Sequence, residues 1–256
     1  HPLKDADVDS LDEYPFPDPN APGRFKITRD DVEKYKEEGY WVVGHFGIDT
    51  FWCQAWYLRG FRELTVDLYT NPRFVEKLMS KLLEYYIGIG KRLVELRVDQ
   101  VNMYDDIAGQ TGMIISPRLW RRFLKPYYKR LIEVLRPKVK YIFYHSDGDL
   151  RPVIPDLIEI GVNILNPIQP DCMDIAELKN LYGDKLTLWG GLSVQDIIPH
   201  GTVKDVENHV KETIETLAPN GGFVLGTSNL ITQDTPIENF LAIYDAAKKY
   251  GKYPIR

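Results

Sequence analysis

Two textures of apolar residues alternate along the chain. Short runs rich in β-branched and aromatic residues cover 41–44, 98–104, 141–145, 162–165, 185–189 and 222–225, and these predict strands. Between and after them, apolar positions recur at steps of three and four, predicting helices over 71–97, 116–136, 152–160, 174–182, 203–217 and 236–250. In the first of these helices Val75, Leu78, Leu82, Tyr85, Ile89, Leu93 and Leu96 mark one face, and Pro72 sits just inside the start. Ser116 is a good N-cap, followed by Pro117 at the first helical position, and Gly161 is a natural C-cap. The run Tyr141-Ile142-Phe143-Tyr144-His145 lacks alternation, as expected of a strand covered on both faces. Residues up to about Gly23 are rich in Pro and Asp and read as a loop.

Six strand-then-helix units in succession imply a parallel sheet with right-handed crossovers. A doubly wound sheet and a closed barrel both satisfy that order. No GxGxxG follows a strand, so the doubly wound reading lacks its usual fingerprint. The chain's 256 residues suit the ~250 of a (β/α)8 barrel. The expectation is therefore an α/β fold: a single (β/α)8 TIM-barrel domain over 1–256 that lacks its N-terminal units, since two strands are wanting.

Charge and composition remove several classes of function. A net charge of −5 and a pI near 5.6 argue against nucleic acid as a partner, because binding a phosphate backbone needs a basic surface. No apolar run approaches the ~20 residues of a membrane span. The polar start, His1-Pro2-Leu3-Lys4-Asp5, does not read as a signal peptide, so a cytoplasmic location is expected. Cys53 and Cys172 supply neither a disulfide framework nor a CxxC metal site, and read as two buried, reduced thiols.

In a barrel, chemistry gathers at the C-terminal ends of the strands. Those ends deliver His45 and Asp49, then Asp105 and Asp106, then His145, Asp147 and Asp149. They go on to deliver Asn166 and Gln169, then Trp189, and finally Thr227, Ser228 and Asn229. His145-Ser146-Asp147 is the strongest motif, because residues two apart on an extended segment point the same way. The pair can share a ligand or a metal ion, or the carboxylate can orient the imidazole and raise its pKa. Alternatively His145 caps the sheet and Asp147 caps the next helix. Of Asp105 and Asp106, alternation sends one inward as a candidate general acid, while the other caps or pairs with a helix. His45, Trp56 and Tyr57 lie in an aromatic stretch that suits the wall of a flat-ligand pocket, and equally a core. Gln169, Trp189 and Asn229 complete the substrate-binding candidates. His1, His200 and His209 read as surface residues.

The stretches "YHSDGDLRPVIPDLIEIGVNILNPIQP", "LTLWGGLSVQDIIPHGT" and "TPIENFLAIYDAAKKYG" resemble the uroporphyrinogen decarboxylase superfamily. Upstream, "GHFGIDTFWCQAWYLRG" and "MYDDIAGQTGMIISPRLW" resemble it too, so the likeness covers nearly the whole chain. The superfamily has the (β/α)8 fold and longer N-termini. It includes the decarboxylases of tetrapyrrole synthesis and corrinoid-dependent methyltransferases. The decarboxylases' N-terminal arginine segment has no counterpart here. Their substrate-contacting Tyr, Ser and His fall at Trp56, Asp106 and about Thr227, and an acidic Asp106 would repel a polycarboxylate. The thiol methyltransferases' His-x-Cys plus later Cys becomes His145-Ser146-Asp147 plus a position near Asn229.

The resemblance therefore implies a corrinoid-linked methyltransferase acting on a small methylated substrate, a methoxylated compound or a methylamine. In that reading His145, with Asp147 or Asp106, gives acid assistance to the leaving atom. The corrinoid sits on a partner cobalamin-binding protein. With both thiolates gone, no tightly bound metal is expected, and a looser zinc on His145 and Asp147 is the metal such donors would take. Uroporphyrinogen decarboxylation is the alternative activity. A ligand-binding barrel without catalysis is the alternative of another class.

Overall fold

Six strands, each followed by at least one helix, run through residues 1–255, which the computed structural model describes. In chain order the elements are α1 (Ser10–Glu13), α2 (Arg29–Glu37), β1 (Val43–His45), α3 (Phe51–Arg59), α4 (Phe61–Thr70), α5 (Pro72–Leu96) and β2 (Gln100–Tyr104). A two-residue pair, β3 (Ala108–Gly109) and β4 (Gly112–Met113), precedes α6 (Pro117–Phe123), α7 (Lys125–Leu135) and β5 (Tyr141–His145). Then come α8 (Ile154–Ile160), β6 (Ile164–Ile168), α9 (Ile175–Tyr182), β7 (Thr187–Leu192), α10 (Ile197–His200), α11 (Val203–Leu217), β8 (Phe223–Thr227) and α12 (Ile237–Tyr250). This is the alternation of a (β/α) barrel, carried through six of its eight repeats. Among the described residues no helix is long and apolar enough to cross a membrane.

The chain separates into two compact units. The first holds residues 1–107, 114–144 and 153–162. Its strands lie in the order β1-β2-β5, and β1 and β2 run parallel with Val43 opposite Gln100 and His45 opposite Asn102. Helix α5 buries Val75, Leu78, Leu82, Leu93 and Leu96, the face its periodicity predicts, and ends at Arg97 in the left-handed conformation. The helix expected over 116–136 is two helices. Pro126 has no N–H to give to the turn before it, and the chain breaks at Leu124. Helices α3 and α4 went unpredicted; in α3 the run Phe51-Trp52-Cys53-Gln54-Ala55-Trp56 offers no polar face to set a period. The segment expected to be a loop up to Gly23 contains α1 and is pinned by burial of Leu3 and Leu11, with Arg59 donating to the carbonyls of Leu3 and Ala6.

The second unit holds residues 108–113, 145–152 and 163 onward. Its strands lie in the order β6-β7-β8, all parallel, with Ile164 opposite Thr187 and Leu188 opposite Phe223. Helices α11 and α12 close over them around Leu192, Val206, Val210, Ile214, Ala242 and Ile243. Gly191 permits that approach, since a Cβ there would stand 2.8 Å from Thr213 Cγ2 at a φ of +88°. Strands β6, β7 and β8 run two or three residues beyond their predicted ends. Asn166, Gly190, Gly191 and Gly226 interrupt the apolar pattern but continue the strands.

Candidate active site

The second unit assembles its polar groups from the end of β5 outward. His145 Nδ1 lies 2.6 Å from Asn166 Oδ1. The Asn166 amide nitrogen donates to the Trp189 carbonyl at 3.3 Å. A carbonyl can only accept, so the amide NH2 faces Trp189 and Oδ1 faces the imidazole. Nδ1 therefore carries the proton, and in the neutral ring Nε2 carries the lone pair. Nε2 stands 3.7 Å from Asp147 Oδ1. Asp147 Oδ2 accepts from the Asn229 side-chain amide at 2.6 Å. The side chains of His145 and Asp147 keep 20% and 31% of their exposure, and the Oδ1 of Asp147 that faces the imidazole is itself buried.

The turn after His145 is built by close backbone packing. Gly148 has a φ of +86°, and a Cβ there would stand 2.3 Å from the Gly109 carbonyl oxygen. The Asp149 amide donates to that same carbonyl at 3.0 Å, and the Gly148 amide donates to Gln169 Oε1 at 3.2 Å. These bonds aim Asp147 into a cavity of about 110 Å³ that Gln110, Gln169, Gln195 and Asn229 also line. The alternative in which Asp147 caps the next helix does not hold. The N-cap of α8 is Val153, with no side-chain cap; Asp149 accepts from the Arg151 amide at 3.1 Å, and the Arg151 guanidinium holds its carboxyl below the usual range.

Chemically, a neutral imidazole with its lone pair beside a carboxylate can take up a proton and hold it near an anion. The same two atoms are donors of the kinds zinc accepts. Two ligands at about 2.1 Å from a tetrahedral zinc lie roughly 3.4 Å apart, close to the 3.7 Å seen here. One imidazole and one carboxylate fit a loosely held divalent ion and not a thiolate centre.

Other expected residues fall in the first unit. Asp105 is wholly buried, and its carboxylate accepts from the Trp52 and Cys53 amides, both at 2.7 Å, and from the Tyr128 hydroxyl at 2.6 Å. It fastens the first turn of α3. Burial pushes its carboxyl up to about 7, against the pull of those donors. Asp106 is half-buried at the end of β2, with its carbonyl 4.0 Å from the Cys53 sulfur. His45 is exposed and stacks on Tyr104, with centroids 5.7 Å apart, and the cover this gives lowers its pKa. Trp56 is half-buried and packs edge-on against Tyr57 and Phe61. Tyr57 donates to Asp49 at 2.7 Å and faces a first-unit cavity.

In the second unit Gln169 is buried beside the small cavity, and Trp189 acts through its carbonyl on Asn166. Two further expectations need correction. His209 is not a surface residue: it is half-buried, and Nε2 accepts the Ser193 amide at 3.1 Å. Cys172 is only half-buried. Asn166 belongs to the site's machinery, and its signal in the sequence was its place at a strand end. Gln110 and Gln195 carried none, lying on a two-residue hairpin and on the loop after β7.

A family model described as Uroporphyrinogen decarboxylase (URO-D) matches residues 2–250. A methylated-thiol–coenzyme M methyltransferase of Methanosarcina mazei is 23% identical over 196 residues, covering 76% of this chain and 50% of the relative. A uroporphyrinogen decarboxylase of Gloeobacter violaceus is 26% identical over 193 residues, covering 73% and 52%. A methylcobamide:CoM methyltransferase of Methanosarcina barkeri is 25% identical over 179 residues, covering 68% and 49%. The chain thus spans about half the length of these relatives. The solved structure of a methyltransferase from Methanosarcina mazei superimposes with a TM-score of 0.69 at 19% identity, over 88% of this chain and 64% of that one.

Proposed function

The chain belongs to the uroporphyrinogen decarboxylase family, and from that premise we propose that it is the barrel portion of a corrinoid-linked methyltransferase acting on a small methylated substrate, a methoxylated compound or a methylamine. One observation carries the reading: His145, Asp147 and Asn229 converge, with Asn229 2.6 Å from Asp147. By the family resemblance, the His-x-Cys of the thiol methyltransferases falls at His145-Ser146-Asp147 and their later Cys falls near Asn229. Here these positions carry oxygen and nitrogen in place of sulfur, which suits a donor whose methyl leaves oxygen or nitrogen.

His145 holds the proton that the leaving atom needs. Asn166 keeps Nδ1 protonated, so uptake and release occur at Nε2. Asp147 stabilises the imidazolium, and Asn229 keeps Asp147 turned toward it. A zinc ion held by Nε2 and Asp147 Oδ1 would polarise the leaving atom instead. The two roles exclude each other, because both use the same lone pair. In this proposal the corrinoid belongs to a partner protein.

The cavity favours this reading over decarboxylation. It has about 110 Å³, and its lining includes the carboxylate of Asp147 and no cation. A polycarboxylate would meet repulsion there, whereas a methyl-bearing group of a few heavy atoms fits. The test incubates the purified full-length protein with a reduced corrinoid protein and a panel of methyl donors, alongside uroporphyrinogen. Corrinoid absorbance marking methylation supports the proposal. Coproporphyrinogen formation without metal would assign the decarboxylase activity, and ligand binding without turnover would assign a non-catalytic barrel.

A further inference from the structure

An apolar hollow of the first unit plays no part in the proposed chemistry. It has about 570 Å³ and is walled by rings from Tyr14, Phe16, Tyr57, Tyr85 and Tyr86, with Asp49 on its lining. Among the described residues that line it, Asp49 is the only charged one. One of its oxygens accepts the Tyr57 hydroxyl at 2.7 Å, and its backbone carbonyl accepts from Tyr86 at 3.2 Å. Among the described residues no lysine, arginine or histidine forms an ion pair with it. A half-buried carboxylate that forms no ion pair among the described residues, on the lining of a hollow walled by aromatic residues, has the charge pattern of a cation site. One of these rings already takes a cation: Arg24 lies 5.5 Å from the Tyr85 centroid and donates to its hydroxyl.

The lining also selects the kind of cation. A calcium- or magnesium-like ion wants about six oxygens, and one carboxylate cannot supply them. A primary ammonium brings three N–H donors, and ring faces leave these poorly satisfied. A neutral apolar ligand fills the space but leaves Asp49 uncompensated. A cation whose nitrogen is covered with methyl groups has charge and apolar surface but few or no donors. We propose that this cavity binds a small N-methylated ammonium ion of the tetramethylammonium or choline class, with its methyls against the tyrosine and phenylalanine rings and its charge facing Asp49. The proposal does not depend on methyl transfer: a protein that transfers no methyl group can still bind such an ion.

Calorimetric titration of the full-length protein with choline, tetramethylammonium and the neutral isostere 3,3-dimethylbutan-1-ol tests it. Choline should bind saturably and at least about tenfold tighter than the isostere. Asp49→Asn should weaken choline by about tenfold and leave the isostere unchanged. Tyr57→Phe keeps both ring and carboxylate and should keep the preference, which covers the case in which the Asp49 variant does not fold. Phe16→Leu should weaken choline by about threefold. Equal affinity for choline and isostere, no saturable binding, or an Asp49→Asn protein that binds choline unimpaired would overturn the proposal.

Discussion

Asp105 follows β2 and Asp147 follows β5, and both are carboxylates at the C-terminal ends of strands. Asp105 is wholly buried and accepts two main-chain amides and a phenol. Asp147 is 31% exposed, 3.7 Å from an imidazole, and accepts from a side-chain amide across a small cavity. Position along a strand does not separate them; the donors each one serves do. An acid whose oxygens are taken by main-chain N–H groups is holding the fold. An acid that stands beside an imidazole and accepts from a side-chain amide, with a cavity next to it, is a candidate for chemistry.

The sharpest way to break this contrast is to remove the imidazole. His145→Gln should lower turnover by about 10²–10⁴-fold, with stability within about 1 kcal/mol of wild type because the site is partly open. Chemical denaturation and an activity assay check both. Asp105→Ala should do the reverse. Three buried donors lose their acceptor, at a cost of roughly 3–5 kcal/mol, while turnover per folded molecule stays near wild type. Urea midpoints and active-site titration measure this pair of effects.

Asn166→Leu tests the tautomer. Without its partner at Nδ1 the ring can carry its proton on either nitrogen, and activity should fall about 10–100-fold with a shifted pH profile. A subtler effect concerns Asp105 itself. Its carboxyl titrates near 7 in the folded chain, above the ordinary value of 3.8, so the folded state holds this proton more tightly than the unfolded one. The stability this contributes is fully present below about pH 4 and is lost as the pH rises to about 7. Relative to Asp105→Asn, wild-type stability should fall across that window and level off above it, as urea titrations at several pH values would reveal. Asn229→Ala should have the smallest effect, a few-fold loss of activity from a less firmly held Asp147.

Much of this was legible in the sequence. Strand β5 and helix α11 lie where their patterns predict, and α5 within one residue at each end. The His-x-Asp pair and Asn229 were marked by strand-end position. What stayed hidden had no period or no local signal. Helix α3 begins in a run with almost no polar residue. The β3–β4 pair has two residues per strand. His209 looks like any polar residue on an amphipathic helix, and only the fold brings Ser193 to it. Asp105 and Asp106 are adjacent and chemically equal in the sequence. The amides of Trp52 and Cys53, more than fifty positions away, gave Asp105 its structural role.

The central claim is that the centre of His145 and Asp147 performs chemistry and does not hold the fold. Asp147→Asn, which keeps size and hydrogen-bonding reach but removes the charge, tests it in the full-length protein with a reduced corrinoid protein and a methyl donor that the wild type uses. The account predicts an unfolding midpoint close to wild type and a methylation rate lowered by about 10²-fold or more. A variant that methylates the corrinoid at the wild-type rate, or that loses activity only in proportion to lost stability, would contradict it.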